Sequence, residues 1–467
     1  MTLHSATGPS ENQSAAARQL VARLGLFDAT MIVMGGIIGS GIFINPYVVA
    51  RQVHTPTLIL GAWVIGGGVA LLGALVYAEL AARMPSAGGQ YAYLREAYHP
   101  AIAFLYGWVL LLVIQTGGMA AVAVTFAKYL RTMEPIALPE GWIAAIVLAG
   151  LAIINCLGVR AGSTVQSILM VMKIAAIAAL VFVGLWFAPA DPTGTSLRPV
   201  LDRPVSFNLL TAMGAALIPV FFAYGGWQTT NFIAAEVREP RRNLPRALVY
   251  GVIGVILLYL GVNLVCVRVL GPAGLAATTT PATEIMSRAF GQTGTRLLAI
   301  AITISTLGFL SQSVLTAPRV YFAMARDGLF FRSVAWLDPR HHAPVAAILL
   351  QAVFAIVIAL SGKYEQILNY VVSMDFIFFG LTATCIFAFR SRDARNTDEA
   401  NPTTAATGFR MPGHPLTTLI FIAMSWLVAA NTIEKYPRHT LIGMAILAAG
   451  VPVYFFWNRR NKKTQSA

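Results

Sequence analysis

Two glycine-rich runs interrupt long apolar stretches of the sequence, and both could bind a small polar molecule. The first run spans Gly35 to Phe43 and reads GGIIGSGIF, and the second spans Phe222 to Trp227 and reads FAYGGW. A helix that breaks at such a run leaves backbone N–H and C=O groups without partners. Because glycine has no Cβ, a ligand can approach the backbone closely at these positions. The two runs therefore predict a pair of backbone recognition sites.

An amino acid zwitterion carries the charges that such sites accept. Its carboxylate would accept hydrogen bonds from the backbone N–H groups of Ser40, Gly41 and Ile42. These groups begin the helix that follows the first break, where the helix dipole is positive. Its ammonium would donate to backbone carbonyls at both breaks. The predicted substrate-binding residues are Ile37, Ile38, Gly39, Ser40, Gly41, Ile42, Phe222, Ala223, Tyr224 and Gly225. The alternative is that the glycines only let membrane helices pack closely.

Two ionisable residues, Lys173 and Asp375, lie midway along apolar stretches. Because an ionisable side chain in the hydrocarbon region costs about 3 kcal/mol or more, each is a candidate functional residue. The broken runs contain no charge, which favours a substrate with a neutral side chain. Asp375 could instead select a cationic side chain or serve a structural role, and Gln115 is a further pocket candidate.

The elements that position these residues are predicted to be transmembrane helices. The 467 residues are 57% hydrophobic and 11% charged, with a mean hydropathy of +0.69, whereas soluble domains have about a quarter of their residues charged. A helix needs roughly 20 apolar residues to cross a bilayer. The predicted spans are residues 28–50, 57–82, 101–127, 141–158, 163–188, 208–236, 246–270, 294–323, 344–361, 366–389, 415–432 and 439–457. The predicted fold class is an all-α integral membrane protein of about twelve helices.

The two glycine-rich runs fall in spans one and six, which correspond if the first ten spans form two repeats of five. Paired interruptions in matching spans indicate a binding site near the middle of the membrane. We divide the chain into a disordered cytoplasmic tail (1–23), a first repeat (24–190), a second repeat (205–390), a cytoplasmic loop (391–414), two further spans (415–457) and a basic cytoplasmic tail (458–467).

Charge predicts the orientation of the chain. Most of the 33 Lys and Arg residues fall in segments on the side of the N-terminus, which places both termini in the cytoplasm. The basic residues cluster beside the spans, so the net charge of +14 reflects topology and predicts no nucleic acid partner.

Three motifs together resemble the amino acid, polyamine and organocation (APC) superfamily, and most closely the bacterial branch of its L-type amino acid transporters. They are Gly39–Phe43 (GSGIF), Met84–Tyr91 (MPSAGGQY) and Glu236–Arg246 (EVREPRRNLPR). The resemblance covers about residues 24 to 457. It implies a LeuT-type fold of five plus five inverted helices with two C-terminal helices, and a substrate held between helices one and six.

The resemblance also implies roles for particular residues. Phe222 matches the aromatic gate that closes over the substrate. Lys173 matches the helix-five lysine whose ammonium occupies the place of a sodium ion in sodium-coupled relatives, bridging helix one near Gly35 and helix eight near Ser305. A fixed cation there would remove the need for sodium, and a lysine with a lowered pKa could instead carry a proton.

The inner side of the protein is expected to close over the pocket. Residues 85–89 resemble a short loop that plugs the cytoplasmic vestibule, and Glu79 and Glu236 are predicted to belong to an inner gate. The outer loop at residues 128–140 has no cysteine. Animal L-type light subunits use a cysteine there to bond a heavy subunit, so no disulfide-linked partner is expected.

The sequence therefore predicts a sodium-independent secondary transporter of amino acids in the bacterial cytoplasmic membrane, working by alternating access as an exchanger or with protons. The alternatives are a transporter of cationic amino acids or polyamines and, from other classes, a membrane-embedded enzyme or a nutrient sensor. An enzyme would need paired His or carboxylate residues within the spans, whereas His341, His342 and His414 fall in loops. No catalytic residue, metal or cofactor is expected.

Overall fold

A computed structural model describes residues 20–133, 136–195, 199–362, 364–397, 408–435 and 437–465. The helices of the first half are α1 (Leu26–Ile37), α2 (Gly41–Ala50), α3 (Pro56–Arg83), α4 (Gln90–Ala97), α5 (Pro100–Met133), α6 (Glu140–Cys156) and α7 (Val159–Trp186). Those of the second half are α8 (Phe207–Tyr224), α9 (Trp227–Glu236, a 3₁₀ helix), α10 (Pro240–Ala277), α11 (Pro281–Thr316), α12 (Pro318–Arg326), α13 (Val345–Ser361) and α14 (Tyr364–Thr397). Helices α15 (Leu416–Lys435) and α16 (Pro437–Gln465) follow.

The helices account for the predicted membrane spans. Among the described residues, nine helical stretches are long and apolar enough to cross a membrane, and the bent pair α1 and α2 makes a tenth. Helices α6 and α13 are apolar and 17 residues long, which corresponds to roughly 25 Å. The prediction of an all-α membrane protein with about twelve helices is confirmed.

Both predicted helix breaks are present. Helix α1 ends at Ile37 and α2 begins at Gly41, with a bend of 45° between them. Helix α8 ends at Tyr224, Gly225 is extended, and Gly226 has a φ of +110°. Glycine adopts positive φ without steric cost, so these residues let the chain leave and re-enter a helix within the membrane.

Several helices extend beyond the predicted spans. Helix α10 begins at Pro240 rather than near residue 246, because proline suits the first turn of a helix. Helix α11 begins at Pro281, and Gly291, with a φ of +57°, separates its first part from the predicted span. Helix α14 continues to Thr397, so the loop predicted at 391–414 starts later. Residues 1–19, from the predicted disordered tail, lie outside the described residues.

The broken helices lie inside the bundle. Helix α3 packs against α10, and α11 packs against both α5 and α7. Helix α1 packs against α7, α9 and α10, while α2 packs against α8, α10 and α11. Both broken spans are therefore held by helices from both halves of the chain.

Backbone hydrogen bonds join the start of the first broken span to the end of the second. The N–H groups of Arg23 and Leu24 donate to the carbonyl of Glu236 at 2.8 and 2.9 Å. The N–H of Arg238 donates to the carbonyl of Leu24 at 2.9 Å, and Leu24 bridges Val237 in parallel. We call these residues, 23–24 and 236–238, the clasp.

Candidate functional site

The two helix breaks contact each other through bare backbone. A Cβ on Gly226 would lie 2.0 Å from the carbonyl oxygen of Gly36, and a Cβ on Gly36 would lie 2.6 Å from the carbonyl oxygen of Gly226. Both distances are far below van der Waals contact, so each position requires glycine. The sequence identified both glycine runs but not this contact.

Lys173 projects from α7 to the first break. Its side chain is fully buried, and its Nζ donates to the carbonyl of Ile38 at 2.5 Å. The lysine stem passes α11 at Gly308, where a Cβ would lie 3.1 Å from Cε. The resemblance placed the lysine near Gly35. That glycine packs against Gln166 instead, whose Nε2 would lie 1.9 Å from a Cβ on Gly35. The lysine therefore contacts the first span at Ile38 and the eighth near Gly308.

Hydroxyl groups satisfy further carbonyls at the breaks. The hydroxyl of Tyr259 on α10 lies 3.2 Å from the carbonyl oxygens of both Ile37 and Ala223. It can donate to one of them at a time. The hydroxyl of Ser305 on α11 donates to the carbonyl of Gly39 at 3.4 Å. Side chains from neighbouring helices thus stabilise the unwound backbone that a membrane would otherwise penalise.

A cavity of about 150 Å³ adjoins both breaks. The predicted site residues that line it are Ile37, Gly39, Ser40, Gly41, Gln115, Phe222, Ala223, Gly225 and Asp375. Ile38, Ile42 and Tyr224 are buried beside it and are not among its lining residues. Lys173 and Ser305 lie behind the first break, on the side of α7 and α11. The structure thus brings most of the predicted residues to one cavity.

Phe222 lies on the cavity wall just before the second break. Its side chain is 46% exposed, whereas the neighbouring Phe221 is only 5% exposed. An aromatic ring moves on two torsions and covers a large area. A partly exposed ring in this position has room to move relative to the cavity.

A turn of π-helix shapes the wall that α5 contributes. Leu110–Ile114 forms the π turn, and Gln115 follows it directly on the cavity surface. The hydroxyl of Thr116 donates to the carbonyl of Leu111 at 2.6 Å, reinforcing the irregular turn. Such insertions often mark functional sites, but the run of apolar residues gave no sign of this one.

Polar side chains on α9 and α11 form a part of the wall that the sequence did not predict. The N–H of Gly226 donates to the side-chain oxygen of Gln228 at 3.1 Å. The amide of Gln312 donates to the hydroxyl of Thr229 at 2.6 Å, and that hydroxyl donates to the carbonyl of Gly226 at 2.7 Å. The network fixes the second break. The sequence did contain a signal for this part of the wall, because Gln228, Thr229 and Gln312 are polar residues within apolar spans.

A buried ion pair joins α9 to α12. Glu236 accepts hydrogen bonds from Nε and Nη2 of Arg319 at 2.7 and 3.0 Å, and both side chains are almost fully buried. Arg319 also donates to the carbonyl of Leu315 at 2.6 Å. Glu236 was a predicted gate residue, whereas its partner was not identified.

Glu79, the other predicted gate residue, is enclosed by donors. It accepts from Arg83 at 2.9 Å and from two nitrogens of Arg390 at 2.9 and 2.7 Å. The backbone N–H of Met411 donates to it at 2.7 Å. Its carboxylate therefore joins α3, α14 and the segment before α15.

The loop predicted as a plug packs against α9. The N–H of Gly88 donates to the carbonyl of Phe232 at 3.0 Å, and a Cβ on Gly89 would lie 2.8 Å from the backbone of Asn231. The hydroxyl of Tyr91, two residues further along the chain, donates to Asp327 at 2.8 Å. Together with the clasp and the ion pairs, these contacts lie at one end of the bundle, which we call the inner face because the sequence predicts that it faces the cytoplasm.

Comparison with known proteins identifies the family. Residues 24–455 match the family described as Amino acid permease. The chain belongs to the amino acid permease family. It is an APC superfamily permease with a LeuT-type fold, and it is a multi-pass membrane transport protein rather than an enzyme. The resemblance recognised in the three sequence motifs is thereby confirmed.

Curated relatives of this permease are transporters. The human "Large neutral amino acids transporter small subunit 2" is 29% identical, over 94% of this chain and 81% of the relative. The "Serine/threonine exchanger SteT" of Bacillus subtilis (strain 168) is 29% identical, over 94% of this chain and 97% of the relative. The rabbit (Oryctolagus cuniculus) "b(0,+)-type amino acid transporter 1" is 29% identical, over 79% of this chain and 76% of the relative.

Proposed function

We propose that this permease is a sodium-independent secondary transporter of amino acids with neutral side chains, which it moves by alternating access. The observation that carries the proposal is the contact of two broken helices at Gly36 and Gly226 beside a cavity. Unwound backbone in a membrane is tolerated where it lines a cavity or meets a polar partner. A zwitterion is such a partner for both breaks.

The start of α2 provides the site for the carboxylate. Ser40 and Gly41 line the cavity at the first turn of this helix, where N–H groups are unpaired within the helix and the dipole is positive. The ammonium would donate to carbonyl oxygens at the breaks, which have a second lone pair beyond the one used by Lys173, Tyr259 or Ser305.

Lys173 supports sodium independence. Its ammonium already contacts the carbonyl of Ile38, next to the carbonyl of Gly39 that Ser305 reaches. A fixed cation at the break supplies the charge that a bound sodium ion would bring. Transport would then proceed by exchange or with a proton. The same residue could carry that proton.

The inner face supports alternating access. Its buried contacts would close the cytoplasmic side while substrate enters from the other side, and they would separate when substrate is released inward. The relatives named for large neutral amino acids and for serine and threonine favour neutral substrates. The second candidate, a cationic substrate, is favoured by Asp375 on the cavity wall. We propose that the protein works without a disulfide-linked heavy subunit.

Transport in proteoliposomes tests the proposal. Purified protein should accelerate uptake of a labelled amino acid into vesicles preloaded with unlabelled amino acid, in sodium-free buffer. Uptake equal to that of protein-free vesicles for all twenty amino acids would refute transport. A strict requirement for sodium would refute the role of Lys173 and leave transport itself intact.

Replacing Lys173 with Ala should lower sodium-free uptake by about tenfold or more, because a charge-assisted hydrogen bond to the break is lost. The matched control is Lys128→Ala, which removes a lysine at the end of α5 away from the breaks. Wild-type uptake by the Lys173 variant would show that the ammonium is not needed.

A further inference from the structure

The carboxyl group of Asp375 differs from the other carboxyl groups in the protein interior. Glu79 and Glu236 are each paired with arginine. Asp375 lines the cavity from α14, and no residue whose surroundings are described forms an ion pair or hydrogen bond with it. Among the described residues that line the cavity, it is the only ionisable one.

The cavity-lining neighbours of Asp375 on its own helix give it no donor. Val371, Phe376 and Phe379 line the cavity from the same helix, and all three are apolar. A carboxylate removed from bulk water without a partner is unfavourable. Because the protein provides no partner in the described structure, the group is poised to accept a hydrogen bond from whatever occupies the cavity.

The position of Asp375 indicates that it faces the side chain of a bound amino acid rather than its carboxylate or ammonium. The backbone groups of a zwitterion are accounted for by the breaks at Gly39–Gly41 and Gly225–Gly226. Asp375 belongs to another wall, where α14 packs against α5 and where Gln115 also faces the cavity. Gln115 likewise has no hydrogen bond to a described residue, so this wall offers two polar groups to a ligand.

We propose that Asp375 accepts a hydrogen bond from the substrate side chain, so that the permease prefers amino acids whose side chains carry an O–H or N–H donor. This inference rests on the proposed function. A carboxyl group presents an acceptor oxygen in either protonation state, and an aliphatic side chain would leave that oxygen unpaired in a closed cavity. A hydroxyl or an amino group would satisfy it.

Competition between isosteric amino acids tests this preference. Threonine and valine have nearly the same shape and differ by a hydroxyl in place of a methyl group, and lysine and norleucine differ by a terminal ammonium. In the wild type, threonine should inhibit labelled exchange at a concentration about tenfold or more below that of valine. A preference for lysine over norleucine would identify an amine as the donor and select the cationic substrate, the second candidate above. Both results support the proposal.

Variants at Asp375 separate its role from general damage. In Asp375→Leu the ratio between threonine and valine should approach one, whereas Asp375→Asn should keep that ratio and lose any preference for lysine. Because each ratio is measured within one variant, differences in expression cancel. The control is Thr384→Val on the same helix, whose side chain bonds the hydroxyl of Tyr98 away from the cavity; it should keep the wild-type ratios.

Equal inhibition by all four test amino acids in the wild type, with exchange present, would overturn the inference and leave the proposed function intact. An unchanged ratio in Asp375→Leu would do the same. Absence of exchange for every amino acid would contradict the proposed function itself.

Discussion

At the scale of single residues, the site depends on positions where a side chain would occupy the place of backbone. Gly36 and Gly226 let two unwound segments meet, and Gly226 also needs a positive φ. Side chains from outside the breaks then satisfy the exposed carbonyls, Lys173 foremost among them. Glycine and lysine thus have complementary roles: one removes bulk and the other supplies a charge.

Replacing Gly226 with Ala should abolish substrate binding, because its Cβ would lie 2.0 Å from the carbonyl oxygen of Gly36 and its φ is +110°. Binding is measured as ligand-induced thermal stabilisation, since a ligand that binds the folded state raises the melting temperature. The control is Gly68→Ala on α3, where a Cβ would meet no atom within 4 Å. Normal binding by the Gly226 variant would mean that the two segments do not need to touch.

At the scale of elements, side-chain and backbone contacts at the inner face connect the broken helices and their neighbours. The clasp connects α1 to α9, the pair of Glu236 and Arg319 connects α9 to α12, and Glu79 connects α3 to α14. The clasp and the contacts of Glu79 join elements from both halves of the chain. Movement of the first span away from α9 therefore requires the clasp to open.

Replacing Arg319 with Met should destabilise the protein by about 3–5 kcal/mol, because Glu236 would remain buried without its partner. The double variant Glu236→Gln with Arg319→Met should recover part of this loss. Chemical or thermal unfolding in detergent measures both. The exposed pair of Glu239 and Arg242 is the control, since Arg242→Ala should change stability by less than about 1 kcal/mol. Equal stability of the Arg319→Met variant and the double variant would show that burying Glu236 without its arginine does not destabilise the protein.

A disulfide across the clasp should stop transport. Leu24→Cys and Val237→Cys introduce thiols at two residues that bridge each other in the backbone. Oxidation should abolish exchange if the clasp opens in each cycle, and reduction should restore it. The single variants, oxidised in the same way, are the controls. Full exchange by the cross-linked protein would show that α1 and the end of α9 move together.

At the scale of the whole molecule, the bundle presents two faces. Arg410 lies at the inner face, next to Met411, whose N–H reaches Glu79. Ala190 lies at the opposite end, next to Asp191, whose N–H donates to the carbonyl of Arg268 near the end of α10. Arg410 and Ala190 are exposed. The distribution of Lys and Arg predicts that the inner face is cytoplasmic.

Cysteine labelling in intact cells tests this orientation. With Cys156, Cys266 and Cys385 replaced by Ala, a thiol reagent that cannot cross membranes should label Ala190→Cys in intact cells. Arg410→Cys should be labelled only after permeabilisation. The protein without cysteines is the control for background labelling. The reverse pattern would invert the predicted topology.

The sequence by itself determined the membrane spans and the two places where they break. Apolar length fixes a span, and glycine runs such as Gly35 to Gly41 break a helix, so both signals are local. The start of α10 at Pro240 and the extension of α14 to Thr397 were not anticipated, because polar helix ends lie outside the apolar signal.

Only the tertiary structure decided which residues meet at the site. Arg319 pairs with Glu236 across 83 positions of sequence, and Lys173 reaches Ile38 across 135. The π turn that places Gln115 on the cavity also has no local signature. Such contacts depend on how helices from both halves pack around the breaks, and that packing is a property of the whole bundle.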